Sequence, residues 1–127
     1  CIFSIVASKL GDIKKAYDYF MQTTRLDLDN VHHNTKDGIH TANMGGTYMG
    51  MVYGFAGLRI KEKGIFFNPV IPEQWENYEF KITYQERTIK IHVSKKQCHF
   101  TLLDGKALKI NVYDNEYLLK DDVIIKF

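Results

Sequence analysis

The feature that most constrains this chain is a change of hydrophobic period near residue 58. Before it, apolar residues recur at helical spacing; after it, they alternate. Ile2, Ile5, Val6 and Leu10 form an apolar stripe of helical spacing that Gly11 ends. Asp12 is placed to cap a second helix carrying Ile13, Ala16, Tyr17 and Phe20, which fades near Leu26–Asp29. A polar loop spans roughly residues 30–38, and Thr41 can cap a third helix running to about Phe55.

From Ile60 onward the period is two. Phe80, Ile82 and Tyr84 alternate, as do Ile89, Ile91 and Val93, then Phe100 with Leu102, then Leu108, Ile110 and Val112, and finally Val123, Ile125 and Phe127. Asp104-Gly105 is the best short hairpin signal, with further turns at Gln85–Arg87 and Tyr113–Glu116. Strands so spaced predict an antiparallel β-sandwich. Trp75 is expected to pack at the junction of the two halves.

The third helix is unusual. Gly46, Gly50 and Gly54 recur every fourth residue, each costing about 1 kcal/mol relative to alanine. Such a row suits a helix packed against another at close range. Met44, Tyr48, Met51, Val52 and Phe55 on its other faces also demand burial, more than short neighbours can supply. The helical half is therefore expected to expose apolar surface or to bury it against another copy.

With 127 residues the chain has room for one modest domain. Net charge is +2, which gives no ground for nucleic-acid or acidic-membrane binding. Gly38 to Leu58 lacks formal charge, but His40, Asn43, its threonines and its glycines argue for a buried helix and not a membrane span. Two cysteines, Cys1 and Cys98, give no disulfide framework. Free thiols are expected, which suits a reducing, cytoplasmic setting, and Cys98 alternates with core residues.

The start of the third helix carries the chemistry. A helix N-terminus has unpaired N–H groups and partial positive charge, so it attracts anions. His40 sits there, with Gly45-Gly46 one turn on, and glycine permits close approach to the backbone. The residues suit half of a phosphate or carboxylate site; equally, His40 can be a capping or packing histidine and the glycines can be packing glycines. Asp27, Asp29 and Asp37 could suggest paired carboxylates, although Asp27 and Asp29 read more simply as ending a helix and solvating a loop. His32-His33 lacks companions for a metal, so no metal is expected, and Lys36 reads as solvated. No Ser/His/Asp or Cys/His constellation is visible, nor a general acid poised against a nucleophile.

Ser4–Gly11, Asp27-Leu-Asp29, Asp37-Gly-Ile-His40, Gly45-Gly46, Gly54–Gly57, Phe67–Trp75 and Phe80–Tyr84 together resemble the C-terminal region of glycoside hydrolase family 65. The resemblance runs nearly end to end. It implies an α+β fragment: residues 1–57 as the last helices of an (α/α)6 catalytic barrel and residues 58–127 as a small, jelly-roll-like C-terminal β-sandwich. It implies an inverting disaccharide phosphorylase of the maltose, trehalose or kojibiose type, using inorganic phosphate as co-substrate and no cofactor. The disaccharide would be α-glucosidic and the products β-glucose 1-phosphate and a sugar. His40, Gly45 and Gly46 fall on phosphate-site positions, while the general acid and a serine-rich phosphate contact would precede Cys1. The isolated chain is then expected to be inactive, the parent to be a homodimer. Two departures stand out: Phe3 where many members have histidine, and Gln85-Glu86 in place of an Arg-Gly type turn. A hydrolase of the same family, or a noncatalytic module, are the alternatives; the absence of an acid between Asp37 and Leu58 favours phosphate over activated water as nucleophile.

Overall fold

The structure, a computed structural model, describes residues 1–30, 32, 33 and 35–127. It divides into two compact units, Cys1–Phe55 and Ala56–Phe127.

The first unit contains α1 (Ile2–Lys9), α2 (Ile13–Thr24), the single turn α3 (Leu26–Asp29), a 3₁₀ turn (Thr35–Asp37) and α4 (Thr41–Met49), which continues as a π-helical segment, Gly50–Phe55. Asp12 caps α2 by accepting the Lys15 N–H at 3.0 Å. The glycine row does what its spacing demands. A Cβ on Gly46 would lie 3.1 Å from Cys1 Sγ, on Gly50 3.0 Å from the Phe20 ring and on Gly54 3.7 Å from Ile5. Phe20 meets Phe55 edge-on at 5.4 Å, closing the centre of the unit.

The expectation for α1 is reversed. Its buried residues are Ser4, Ala7 and Ser8, whereas Ile2, Val6 and Leu10 are exposed. Neighbouring backbones approach too closely for large side chains. Ser4 Oγ donates to Ala16 O at 2.8 Å and Ser8 Oγ to Gly54 O at 2.9 Å, so small hydroxyls join the helices. Of the residues expected to lack cover, Met44 and Tyr48 are exposed and Met51 is half-buried, but Val52 and Phe55 are buried. Thr41 is also corrected: it is the first helical residue, and His40 holds the cap position.

The second unit is a sandwich of two four-stranded sheets. The strands are β1 (Arg59–Lys61), β2 (Gly64–Phe67), β3 (Asn77–Tyr84), β4 (Arg87–Ser94), β5 (Gln97–Asp104), β6 (Leu108–Val112), β7 (Asn115–Leu119) and β8 (Asp122–Lys126), ordered β1-β2-β6-β7 and β3-β4-β5-β8. Alternate residues point inward: Ile65, Phe67, Ile110 and Val112 from one sheet meet Ile89, Ile91, Val93, Cys98 and Phe100 from the other. Phe67 and Phe100 touch across the layers at 5.0 Å.

Two sequence expectations fail here. The sandwich is not wholly antiparallel, because β2 pairs with β6 in parallel. Asp104-Gly105 is no hairpin either, because β5 and β6 belong to different sheets. Gly105 has φ +96°, and a Cβ there would lie 2.6 Å from Glu86 O, so the glycine serves a crossover pressed against another turn. Arg87 joins the two by donating to Lys106 O at 3.0 Å and to Gln85 O at 2.9 Å. Two-residue hairpin turns with both residues at positive φ are Gln85-Glu86 (φ 46° and 62°) and Tyr113-Asp114 (φ 50° and 63°). Trp75 packs on Tyr78 with ring centroids 5.8 Å apart.

Candidate functional site

The site is assembled by the chain's return from α2 to α4. Arg25 grips Asp29 with two bonds of 2.6 Å, which fixes the single turn α3. Asn30, in the left-handed conformation, ends that turn and accepts from Thr35 N at 3.2 Å and Thr35 Oγ1 at 2.8 Å. The 3₁₀ turn then delivers His40 to the N-cap of α4.

His40 does not cap the helix with its side chain. Its backbone N–H donates to Asp27 Oδ2 at 3.0 Å, and its Nδ1 makes a short contact with Asp27 Oδ1. Asp27 thus grips both the backbone and the ring. These hydrogen bonds, from the ring first and the backbone second, hold the Asp27 carboxyl below the ordinary aspartate range. An ionised Asp27 can only accept, so its bond with Nδ1 sets the orientation of the ring. The side chain is half-buried, not sealed in apolar contacts.

In the first turn of α4, Asn43 N bonds His40 O at 2.9 Å, and the His40 side chain makes no cap bond to the helix amides. Asn43 turns its own amide to Thr23 O, tying α4 to α2. The two glycines play different parts. Both lie one turn into the helix, where N–H groups are committed to the helical ladder, so neither is placed as an anion donor. Gly46 is buried against Cys1 and Thr23 and is a packing residue. Gly45 faces outward, and a Cβ there would meet nothing within 4 Å. It lies on the face shared with Thr41 and Ala42, which carry the first-turn amides.

Asp27 is the residue sequence reasoning misplaced. It reads as a helix-end carboxylate because its partner lies thirteen positions away with no local pattern joining them. The signal available was its place in the Asp27-Leu-Asp29 motif. Asp29 is an ion-pair partner and Asp37 is exposed in the 3₁₀ turn. Lys36, His32 and His33 are exposed, and among the described residues no His/Cys/Asp/Glu group is arranged to hold a metal ion. Both cysteines are free thiols, and burial pushes Cys98 up to about 11. No helix of the described residues is long and apolar enough to cross a membrane.

Comparison with known proteins bears on both units. Residues 1–49 match the model of the glycosyl hydrolase family 65 central catalytic domain, and residues 58–119 that of the glycosyl hydrolase family 65 C-terminal domain. The chain is 55% identical to an alpha,alpha-trehalose phosphorylase of Geobacillus stearothermophilus over 122 residues, covering 96% of this chain and 16% of that protein. It is 38% identical to a maltose phosphorylase of Bacillus subtilis strain 168 over 119 residues, covering 94% and 16%. A solved structure from the human microbiome, with a provisional kojibiose phosphorylase assignment, superposes with a TM-score of 0.91 at 40% identity, over 98% of this chain and 16% of that one. The chain thus spans about 16% of the length of these relatives.

Proposed function

The chain belongs to glycosyl hydrolase family 65, and from that premise we propose that it is part of an inverting disaccharide phosphorylase and contributes half of its phosphate site. The observation that carries the reading is the His40–Asp27 pair at the N-terminus of α4, within the segment matched by the family's catalytic domain. Residues 1–57 are then the last helices of an (α/α)6 barrel, and residues 58–127 the C-terminal sandwich.

In this reading phosphate attacks the anomeric carbon of an α-glucosidic disaccharide from the face opposite the leaving sugar. The products are β-glucose 1-phosphate and the released sugar. A general acid outside this chain protonates the leaving oxygen. Phosphate is itself the nucleophile, so no second carboxylate is needed to activate water, unlike an inverting hydrolase. His40 donates to a phosphate oxygen from Nε2, and the amides of Thr41 and Ala42 face the same anion. Asp27 positions the ring, while Gly45 leaves room for the anion's approach. No cofactor takes part. A reducing, cytoplasmic setting belongs to the same reading, supported by two cysteines that form no disulfide.

The experiment supplies the full-length protein with trehalose, maltose and kojibiose in turn, with and without inorganic phosphate. The expected result is β-glucose 1-phosphate from at least one of them, strictly dependent on phosphate. The 127-residue chain alone should yield none. Cleavage to free sugars at the same rate without phosphate would make the protein a hydrolase and remove the phosphate role from His40.

A further inference from the structure

We infer that Asn30 is a positioning residue for the anion site: it ties the loop that leads from Asp27 to His40 and so holds the imidazole where the anion meets it. The inference rests on the phosphate reading and adds to it a residue that acts through His40.

Asp27 and His40 lie thirteen positions apart, so they meet only if the chain between them turns back. Closing a loop costs entropy, and a tie inside the loop shortens what the last contact must close. Asn30 supplies such a tie. It stands at the end of α3, three residues after Asp27, with φ 50° and ψ 34°. That left-handed turn leads the chain off the axis of α3, and asparagine adopts it more readily than most residues. Asn30 Oδ1 then accepts from Thr35 Oγ1 at 2.8 Å and from Thr35 N at 3.2 Å. Its backbone O accepts from His33 N at 3.0 Å.

The ties continue toward His40. Thr35 opens the 3₁₀ turn, and its O accepts from Gly38 N at 3.2 Å. Gly38 has φ +97°, and His40 follows two residues later. At the other end, the Arg25–Asp29 clamp holds the turn that carries Asp27. Asp27 is therefore fixed by its own helix, and the partner whose place depends on the loop is His40.

The bonds of Asn30 to Thr35 lie at the surface, apart from the buried centre formed by Ala16, Phe20, Val52 and Phe55. Removing them leaves that centre intact. What changes is the fraction of molecules in which His40 stands against Asp27, ready for the anion. A site that is ready only part of the time binds more weakly by that fraction. The chemistry of the sugar, held outside this chain in the same reading, should not respond.

The test reads binding of inorganic phosphate to the full-length protein as the rise of its melting temperature with phosphate concentration. KM for phosphate is measured in parallel with whichever of trehalose, maltose and kojibiose is cleaved. Asn30→Gly keeps the left-handed backbone and loses the side-chain acceptor. It should weaken phosphate about fivefold, the equivalent of one net hydrogen bond. KM for the disaccharide and the rate at saturating phosphate should not change. Asn30→Ala also disfavours the turn and should weaken phosphate further. Thr35→Val removes the hydroxyl donor and should weaken phosphate about twofold. Thr35→Ser keeps both donors and should match the unaltered protein. Added to Asn30→Gly, Thr35→Val should have no further effect.

His40→Ala separates this inference from the reading beneath it. The expected result is that His40→Ala weakens phosphate and that Asn30→Gly then adds little. If His40→Ala leaves phosphate binding unchanged, the phosphate reading fails and takes the inference with it. If His40→Ala weakens phosphate but Asn30→Gly does not, or does so by the same factor with and without His40, the reading stands and the positioning role is overturned. A lower melting temperature in Asn30→Gly with unaltered phosphate affinity would make Asn30 a structural residue and overturn it as well.

Discussion

In the sandwich, Ile91, Phe100, Ile110 and Val112 are all fully buried, at 0% exposure, and each reaches that state against residues of the opposite sheet. In the helical unit, Ile2, Phe3 and Leu10 stand 70%, 72% and 79% exposed, while serines and glycines fill the contacts between helices. Both units draw on the same kinds of apolar residue. They differ in their contacts: large side chains between two layers in one; in the other, Phe20 and Phe55 at the centre and serines and glycines where the helices approach closely. The first arrangement satisfies itself. The second trades side-chain volume for close approach along α1 and presents Ile2, Phe3 and Leu10 outward. It is also the unit that holds the His40–Asp27 pair at the start of α4.

The comparison is broken most directly by truncating the sandwich core. Phe100→Ala removes the ring that bridges the layers at Phe67 and should cost about 3–5 kcal/mol, read as a lowered denaturation midpoint of the sandwich. Leu10→Ser, at an exposed position of α1, should change stability by no more than about 0.5 kcal/mol. Equal losses from the two would mean that the α1 stripe is covered and the contrast between the units is false.

The close-approach claim is sharpened at Gly50. Alanine is better than glycine in a helix by about 1 kcal/mol. Here, however, its Cβ would lie 3.0 Å from the Phe20 ring. Gly50→Ala should therefore destabilise the helical unit by about 1–3 kcal/mol in chemical denaturation. Gly45→Ala meets open space and should be neutral or slightly stabilising. A stabilised Gly50→Ala would show that the helices are not in tight contact there.

Acid should act on the two units unequally. Asp27 and Asp29 in the helical unit and Asp122 in the sandwich are all held below the ordinary aspartate value by hydrogen bonds from His40, Arg25 and His99. A depressed carboxylate contributes stability that is fully present above the unfolded value of about 3.9 and is lost as pH falls through the folded value. The contribution should therefore disappear below about pH 4, and more from the helical unit, with its two carboxylates, than from the sandwich. Solvent exposure keeps each contribution small. Circular dichroism that separates helix from strand loss during acid titration checks the order.

The smallest effect is expected at the β3–β4 turn, where Gln85 and Glu86 both adopt positive φ. Replacing them with Asn-Gly, the pair that best suits such a turn, should stabilise the sandwich by up to about 1 kcal/mol, read as a raised melting temperature.

Much of this was legible in the residues. Period-two alternation located the sandwich strands, because each has one buried face, and Asp12 announced its helix through a local bond to Lys15. The glycine row told of close helix contact because nothing else explains its cost. The buried side of α1 was not legible. Periodicity reveals that a helix has an apolar stripe but not whether its own unit covers it, and Ser4, Ala7 and Ser8 carry no hydrophobic signal. Asp104-Gly105 misled because a tight-turn dipeptide specifies a backbone bend and not which sheet the next strand joins. The parallel β2–β6 pair is likewise a matter of long-range topology. At the site, His40 was visible from its position before a helix. Asp27 was not assigned to it, because only the return of the chain through the 3₁₀ turn brings the two together.

The most direct measurement of the central claim is the phosphate dependence of disaccharide cleavage by the full-length protein carrying His40→Ala. Loss of one charge-assisted hydrogen bond to the anion should cost about 1.5–3 kcal/mol, about one to two decades in KM for phosphate or in rate at fixed phosphate. The disaccharide dependence and the melting temperature of the sandwich should stay as they were. Asp27→Asn, which positions the same ring, should shift the phosphate dependence in the same direction. Unchanged phosphate kinetics in His40→Ala, with only a less stable helical unit, would make the His40–Asp27 pair a structural link and contradict the account.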